Sequence, residues 1–268
     1  MAAKFVSRPK FEDYNGKYKD RIIMERRSGI ILLRMHTDGG PVLWNEYMHN
    51  VLPQAWHDVG NDPENQVMIL TSTGGYWIGI SDPEANFRFD YDTYYADATK
   101  LLENLIFDVN IPTIAAVNGP GFHTEIALLC DITICTEDSL FQDGHFMVGY
   151  VPGDGQLLTF QELIGVKRSA YALYTGQKID AKTAYEWGLV NEVVQRDKLM
   201  DRAWEIAELI MKQPRVTRCL THHLVTAPWK RRLINDFQGH IAQEGFGAHC
   251  NTPDHDLNRI RKTWNKRD

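Results

Sequence analysis

Residues 111–117 read IPTIAAV, a short apolar run that stops at Asn118-Gly119-Pro120-Gly121. An apolar run closed by turn residues is the pattern of a buried strand ending in a tight loop. The loop delivers His123 and Glu125, residues 125–130 suit a short buried helix, and residues 132–135 alternate like a second strand. That order places His123 at or near a helix N-terminus, where backbone donors face an anionic ligand.

Residues 141–155 hold too many glycines for a long helix, and the loop between His145 and Asp154 can fold back on itself. A histidine held at one ring nitrogen by a carboxylate presents the other in a fixed tautomer, which makes a general base for water. An alternative stands beside this pair. Aspartate in a Pro-Gly-Asp-Gly turn also caps its own backbone, and a single histidine also satisfies a buried polar partner.

With 268 residues, 43% hydrophobic and 24% charged, the chain can bury one large α/β core, with or without a helical appendage. The net charge of −6 argues against a nucleic-acid footprint, which needs a clustered positive field. The basic patch at Lys230, Arg231 and Arg232 reads as a solvated helix face. Cys130, Cys135, Cys219 and Cys250 show no paired spacing, which suits a reducing compartment. The first 20 residues lack the apolar stretch of a signal peptide, and no segment approaches the length of a membrane span. A cytoplasmic protein is expected, without membrane or nucleic-acid partners.

Taken in order, residues 1–20 read as an extended arm, and 21–25 and 29–36 as paired strands. Residues 43–59 have near-helical apolar spacing despite Pro53, which puts Trp44 and His49 in the first turns of a helix. Residues 65–72 read as a buried strand, and the loop after it, with Trp77, lies where ligands bind in α/β folds. The aromatic run 87–95, starting at Phe87, is placed over that site, with simple packing as the alternative. Helices are expected over 96–109, 157–174, 181–187, 199–211, 216–225 and 232–248, with Asp180 as an N-cap and a strand at 190–194. The simplest division is an α/β core over 1–196 and a C-terminal helical subdomain over 197–268.

Three stretches resemble the crotonase, or enoyl-CoA hydratase/isomerase, superfamily: VMILTSTGGYWIGISD, IPTIAAVNGPGF and CDITICTEDSLFQDGHFMVGYVPGDG. LYTGQKIDAKTAYEWGLVNEVV is the most specific match. The resemblance implies a crotonase-like (ββα) spiral core and a homotrimer or hexamer. It also implies a glycine-rich run after the asparagine-glycine, where CoA-dependent members hold a thioester enolate. Here that stretch reads Phe122-His123-Thr124. His145 stands where hydratases carry a glutamate, and Asp154 where they carry a small residue.

Those departures resemble the β-diketone hydrolase branch, which includes 6-oxocamphor hydrolase and cleaves a carbon–carbon bond without CoA or any other cofactor. The resemblance assigns His145 and Asp154 to a water-activating dyad and His123 and Trp44 to the enolate oxygen. Glu244 would position water or a histidine if the C-terminal helices fold over the site; a solvent-facing glutamate is the alternative. His49, Trp77 and Phe87 are expected around the substrate, and Glu125 is read as structural. No metal is implied, and the expected partner is a small cyclic or bicyclic diketone.

Overall fold

A computed structural model describes residues 6–85, 88 and 90–250, so the substrate contact expected of Phe87 lies outside the described residues. The described chain opens with α1 (Phe11–Lys17) and a hairpin of β1 (Ile22–Arg27) and β2 (Ile30–Met35). Next come β3 (Leu43–Trp44), α2 (Glu46–Asn61), β4 (Val67–Ser72) and β5 (Ile80–Ser81). A π-helical turn, Tyr91–Ala96, runs into α3 (Asp97–Phe107). It is followed by β6 (Thr113–Val117), α4 (Glu125–Leu128), β7 (Ile132–Thr136) and β8 (Leu140–Phe141). Then come α5 (Gln156–Thr175), β9 (Ile179–Asp180), α6 (Ala181–Trp187) and β10 (Glu192–Val194). The helices α7 (Leu199–Met211), α8 (Arg215–Val225), α9 (Ala227–Arg232) and α10 (Gln238–Cys250) follow.

The central sheet has the order β1-β2-β4-β6-β7-β10, parallel throughout except for the β1–β2 hairpin. Its inner strands β2, β4 and β6 are apolar on both faces because both faces are covered. Ile31, Leu33, Met68, Leu70, Ala115 and Val117 point into a core shared with α2 and α3. The alternate residues Ile30, Leu32, Val67, Ile69, Ile114 and Ala116 pack against Leu199, Ala203, Ile206 and Ala207 of α7. The spacing of those four α7 residues is one helical face. The boundary expected at 196/197 therefore precedes a helix that belongs to the sheet's own packing, while α10 crosses to the turn at 91–96.

Two local expectations change. The arm contains α1, whose Tyr14 is buried and donates its hydroxyl to Asp62 at 2.8 Å. Trp44 precedes α2 rather than lying in it. Asn45 is the N-cap, accepting from the Met48 amide at 3.1 Å and donating to Asp82 at 2.9 Å. Asparagine is among the strongest N-cap residues, so its side chain, not the apolar spacing, sets where the helix begins. Trp44 instead pairs in β3 with Ser81 of β5. No described helix is long and apolar enough to cross a membrane.

Candidate active site

The loops leaving the C-terminal ends of β4 and β6 meet, as expected for a crevice in a parallel sheet. Asn118 ties them, donating to the carbonyls of Ser72 at 3.1 Å and Gly74 at 2.8 Å. Gly121 passes so close that a Cβ there would lie 2.7 Å from the Ile78 nitrogen, so only glycine fits. The next amide, Phe122, is donated to the Ile78 carbonyl at 2.9 Å.

His123 then adopts φ +53, a left-handed conformation that costs a non-glycine residue energy and persists only where neighbours hold it. One such neighbour is Trp77, fully buried, whose indole N–H donates to the His123 carbonyl at 3.1 Å. Trp77 was expected against substrate; its geometry is that of a prop for the histidine. Trp44 packs its indole on the His123 ring at 4.1 Å between centroids, and His49 meets the same ring edge-on at 5.8 Å.

A cavity of about 400 Å³ opens beside these loops, lined among others by His123, Glu125, Asp143, His145 and Asp154. Both imidazoles have a carboxylate two residues away. His123 Nδ1 lies 2.7 Å from Glu125 Oε1. His145 Nδ1 lies 3.0 Å from Asp143 Oδ1, which also accepts the His145 amide at 2.8 Å. The expected His145–Asp154 pair is brought together but not bonded. Asp154 Oδ2 lies 3.6 Å from His145 Nε2 and 3.5 Å from His123 Nδ1, so it sits between the two rings beyond good hydrogen-bond range. The carboxylate that orients His145 is thus Asp143.

Glu244 of α10 reaches the site within the same chain. It is buried, its Oε2 accepts the Gly153 amide at 2.9 Å, and its Oε1 lies 3.9 Å from His145 Nε2. Gly153 permits this approach, since a Cβ there would meet the His240 carbonyl at 2.3 Å. Sequence reasoning missed Asp143 and the pairing of Glu125 with His123. The signal was there in Asp-Gly-His and His-Thr-Glu, where a two-residue spacing lets a carboxylate reach its neighbour in a turn.

The pairs at 2.7 and 3.0 Å have hydrogen-bond spacing. Donors around a shared tetrahedral ion at ~2.1 Å would stand about 3.4 Å apart. His123, Glu125 and Asp154, and separately Asp143, His145 and Asp154, are nevertheless the described groups close enough to share a cation. Burial alone does not mark the site. Buried His222 pairs with the half-buried Asp131 at 2.8 Å, but His222 Nε2 is committed to the Val109 carbonyl at 2.9 Å, leaving no ring nitrogen for a ligand.

Burial sets most of the site's protonation. It lowers His123 to about 4 and His49 to about 3, so both rings are neutral near pH 7. It raises Glu125 to about 8 and Glu244 to about 8, and raises Asp154 as well. His145 goes the other way. Burial would lower it, but Asp154, Asp143 and Glu244 together lift it well above 6.5.

These shifts fix the sign of a stability effect. Above pH 6.5 the folded protein keeps protons on His145, Glu125 and Glu244 that an unfolded chain releases. Stability should therefore fall as pH rises from about 6.5 through about 8. His123 and His49 act oppositely, but only below 6.5, where unfolded imidazoles take up protons. Scanning calorimetry should show a lower Tm at about pH 8.5 than at about pH 6.5, with the loss reduced in Glu244→Gln. A Tm that rises over that interval would contradict the assignment.

A largely parallel α/β sheet, with a cavity walled by the loops after β4, β6 and β8, defines the class. The sequence model of the enoyl-CoA hydratase/isomerase family matches residues 25–249, and the chain belongs to that family. Its structure is similar to that of a β-diketone hydrolase from the cyanobacterium Anabaena sp. PCC 7120 bound to (S)-3-oxocyclohexyl acetic acid. That similarity has a TM-score of 0.81 and 35% identity, and covers 91% of this chain and 98% of that one. An enoyl-CoA hydratase/isomerase from Mycobacterium paratuberculosis shares the fold at TM-score 0.79 and 22% identity, over the same shares of the two chains. A carnitinyl-CoA dehydratase from Citrobacter koseri is 32% identical over 163 residues, 56% of this chain and 59% of its own length. The chain thus matches less than two thirds of that relative.

Proposed function

We propose that the protein hydrolyses a carbon–carbon bond of a cyclic or bicyclic 1,3-diketone, giving a keto acid, without CoA. The observation that carries this reading is the arrangement of two imidazole–carboxylate pairs on one cavity, His145–Asp143 and His123–Glu125, with Asp154 between them. A 1,3-diketone presents two carbonyls, one to be attacked by water and one to receive the electrons of the broken bond. Two polar centres of different protonation suit that division of labour.

Water would sit among His145 Nε2, Asp154 and Glu244, whose separations of 3.6 and 3.9 Å suit a bridging molecule. His145, in its neutral form, removes the proton from water; attack on the nearer carbonyl gives a tetrahedral alkoxide, and its collapse breaks the carbon–carbon bond. His123 stabilises the oxygen of the leaving enolate as a hydrogen-bond donor, with Trp44 holding its ring. The Phe122 amide, spent on Ile78, is no free donor for a thioester. The similar cyanobacterial hydrolase holds a molecule that carries both a ketone and a carboxylic acid, the product class proposed here.

The test compares two substrates. Loss of diketone absorbance with a cyclohexane-1,3-dione or bicyclic 1,3-diketone, and no hydration of crotonyl-CoA, is the expected result. Turnover of the thioester alone would reject the proposal in favour of the CoA-dependent hydratases and dehydratases of the family.

A further inference from the structure

We propose that Glu125 is a positioning residue for His123 and the source of a proton relayed through that ring to the oxygen of the departing enolate. This rests on the diketone-hydrolase reading above and assigns a function to a carboxyl group that this reading leaves unused.

Glu125 lies at the first turn of α4 and is 1% exposed, with its carboxyl oxygen 2.7 Å from His123 Nδ1. Both ends of the pair are held. Gln156 Oε1 accepts the Glu125 amide at 3.1 Å and the Thr124 hydroxyl at 2.7 Å, while Trp77 holds the His123 carbonyl. A purely structural carboxylate is expected to satisfy both oxygens, yet Glu125 Oε2 has no hydrogen-bond partner among the described residues. Among the described residues, the only bond from the carboxyl group to a side chain is to an imidazole that lines the cavity. Burial keeps Glu125 protonated to about 8 and His123 unprotonated to about 4. The acid therefore donates to Nδ1, and the ring's own proton sits on Nε2.

The transfer balances. As the carbon–carbon bond breaks and its electron pair moves into the enolate, Nε2 gives its proton to the enolate oxygen and Nδ1 takes the proton of Glu125. The result is an enol and a Glu125 carboxylate. When the enol carbon accepts the proton that His145 took from water, the enol hydroxyl returns its proton to Nε2 and Nδ1 returns one to Glu125. One water is consumed, and both pairs end as they began. A neutral imidazole alone stabilises an enolate only by hydrogen bonding; with an acid behind it, the ring neutralises the oxygen without becoming imidazolate.

Asp154 and His145 face this pair from the 145–154 segment, Asp143 from the end of β8, and His49 from α2. None of them bonds His123 Nδ1 more closely than Glu125 does. Two measurements test the relay. In the ¹⁵N-histidine spectrum of the wild-type protein, the His123 ring should hold its proton on Nε2 at about pH 6 and shift it to Nδ1 above about pH 8, as the Glu125 carboxylate forms and becomes an acceptor. In E125Q, whose amide keeps a hydrogen bond but has no proton to lend, that switch should vanish, and kcat on the diketone should fall at least about tenfold with KM little changed. A ring that keeps one tautomer from about pH 6 to about pH 10 overturns the proposal even if E125Q fails to fold. So does an E125Q enzyme of unchanged kcat. A wild-type protein inactive on every diketone rejects the functional reading instead, and the spectrum still reports the pair.

Discussion

His145→Ala is expected to lower kcat on a 1,3-diketone by about 10²- to 10⁴-fold while leaving the fold intact, because a well-placed general base contributes that much. His145 sits in a loop after β8 and lines a cavity, so its loss opens space beside existing space rather than in the core. The neighbouring carboxylates separate two ways in which the histidine is supported. Asp143→Asn keeps an oxygen able to accept from the His145 amide and Nδ1 but removes the charge; Asp154→Asn removes the charge facing both rings. Each should lower kcat and shift the acid limb of the pH–rate profile downward, since these carboxylates lift His145 above 6.5. In the unmodified enzyme that limb should lie above 6.5, with the rate rising as the imidazolium loses its proton. Near-normal turnover in His145→Ala would remove the histidine as the base. An unmoved limb in both aspartate variants would show that the charge around the ring is set elsewhere.

His123→Ala should cost about 10²- to 10³-fold in kcat, the typical loss when one donor to a developing oxyanion is removed, about 2.7 to 4 kcal/mol. The effect should fall on kcat rather than KM, because the oxygen gains its charge only as the bond breaks. Three features hold the ring for that moment: the strained backbone at φ +53, the Trp44 indole against its face and the Glu125 carboxyl group at Nδ1. Unchanged turnover with a diketone would mean that another group holds the oxygen. Circular dichroism on the same variant separates lost chemistry from lost folding, since alanine keeps the strained φ and loses the packing of the ring.

Much of the fold was legible because it rests on local periodicity. The runs that became β2, β4 and β6 are apolar at successive positions, as strands covered on both faces must be, and α7 carries its apolar residues on one face. The capping side chain of Asp180 marked the start of α6, where it accepts from the Thr183 amide at 2.7 Å. The start of α2 was misread for the same kind of reason, because an apolar residue at 43 fits helical spacing whether or not the chain has yet turned into the helix.

The site divides along the same line. By itself the sequence determined the residue types available for chemistry: two histidines on loops that follow strands, several carboxylates among apolar neighbours, and a missing glycine run. Only the tertiary structure decided their partners. It gave His145 to Asp143 rather than Asp154, set Asp154 between two rings, made Glu125 the companion of His123, and carried Glu244 across to the Gly153 amide. Hydrogen bonds are chosen by distances of a few tenths of an ångström and by which groups are desolvated together. Both follow from how the layers pack, and neither is encoded in the spacing of residues along the chain.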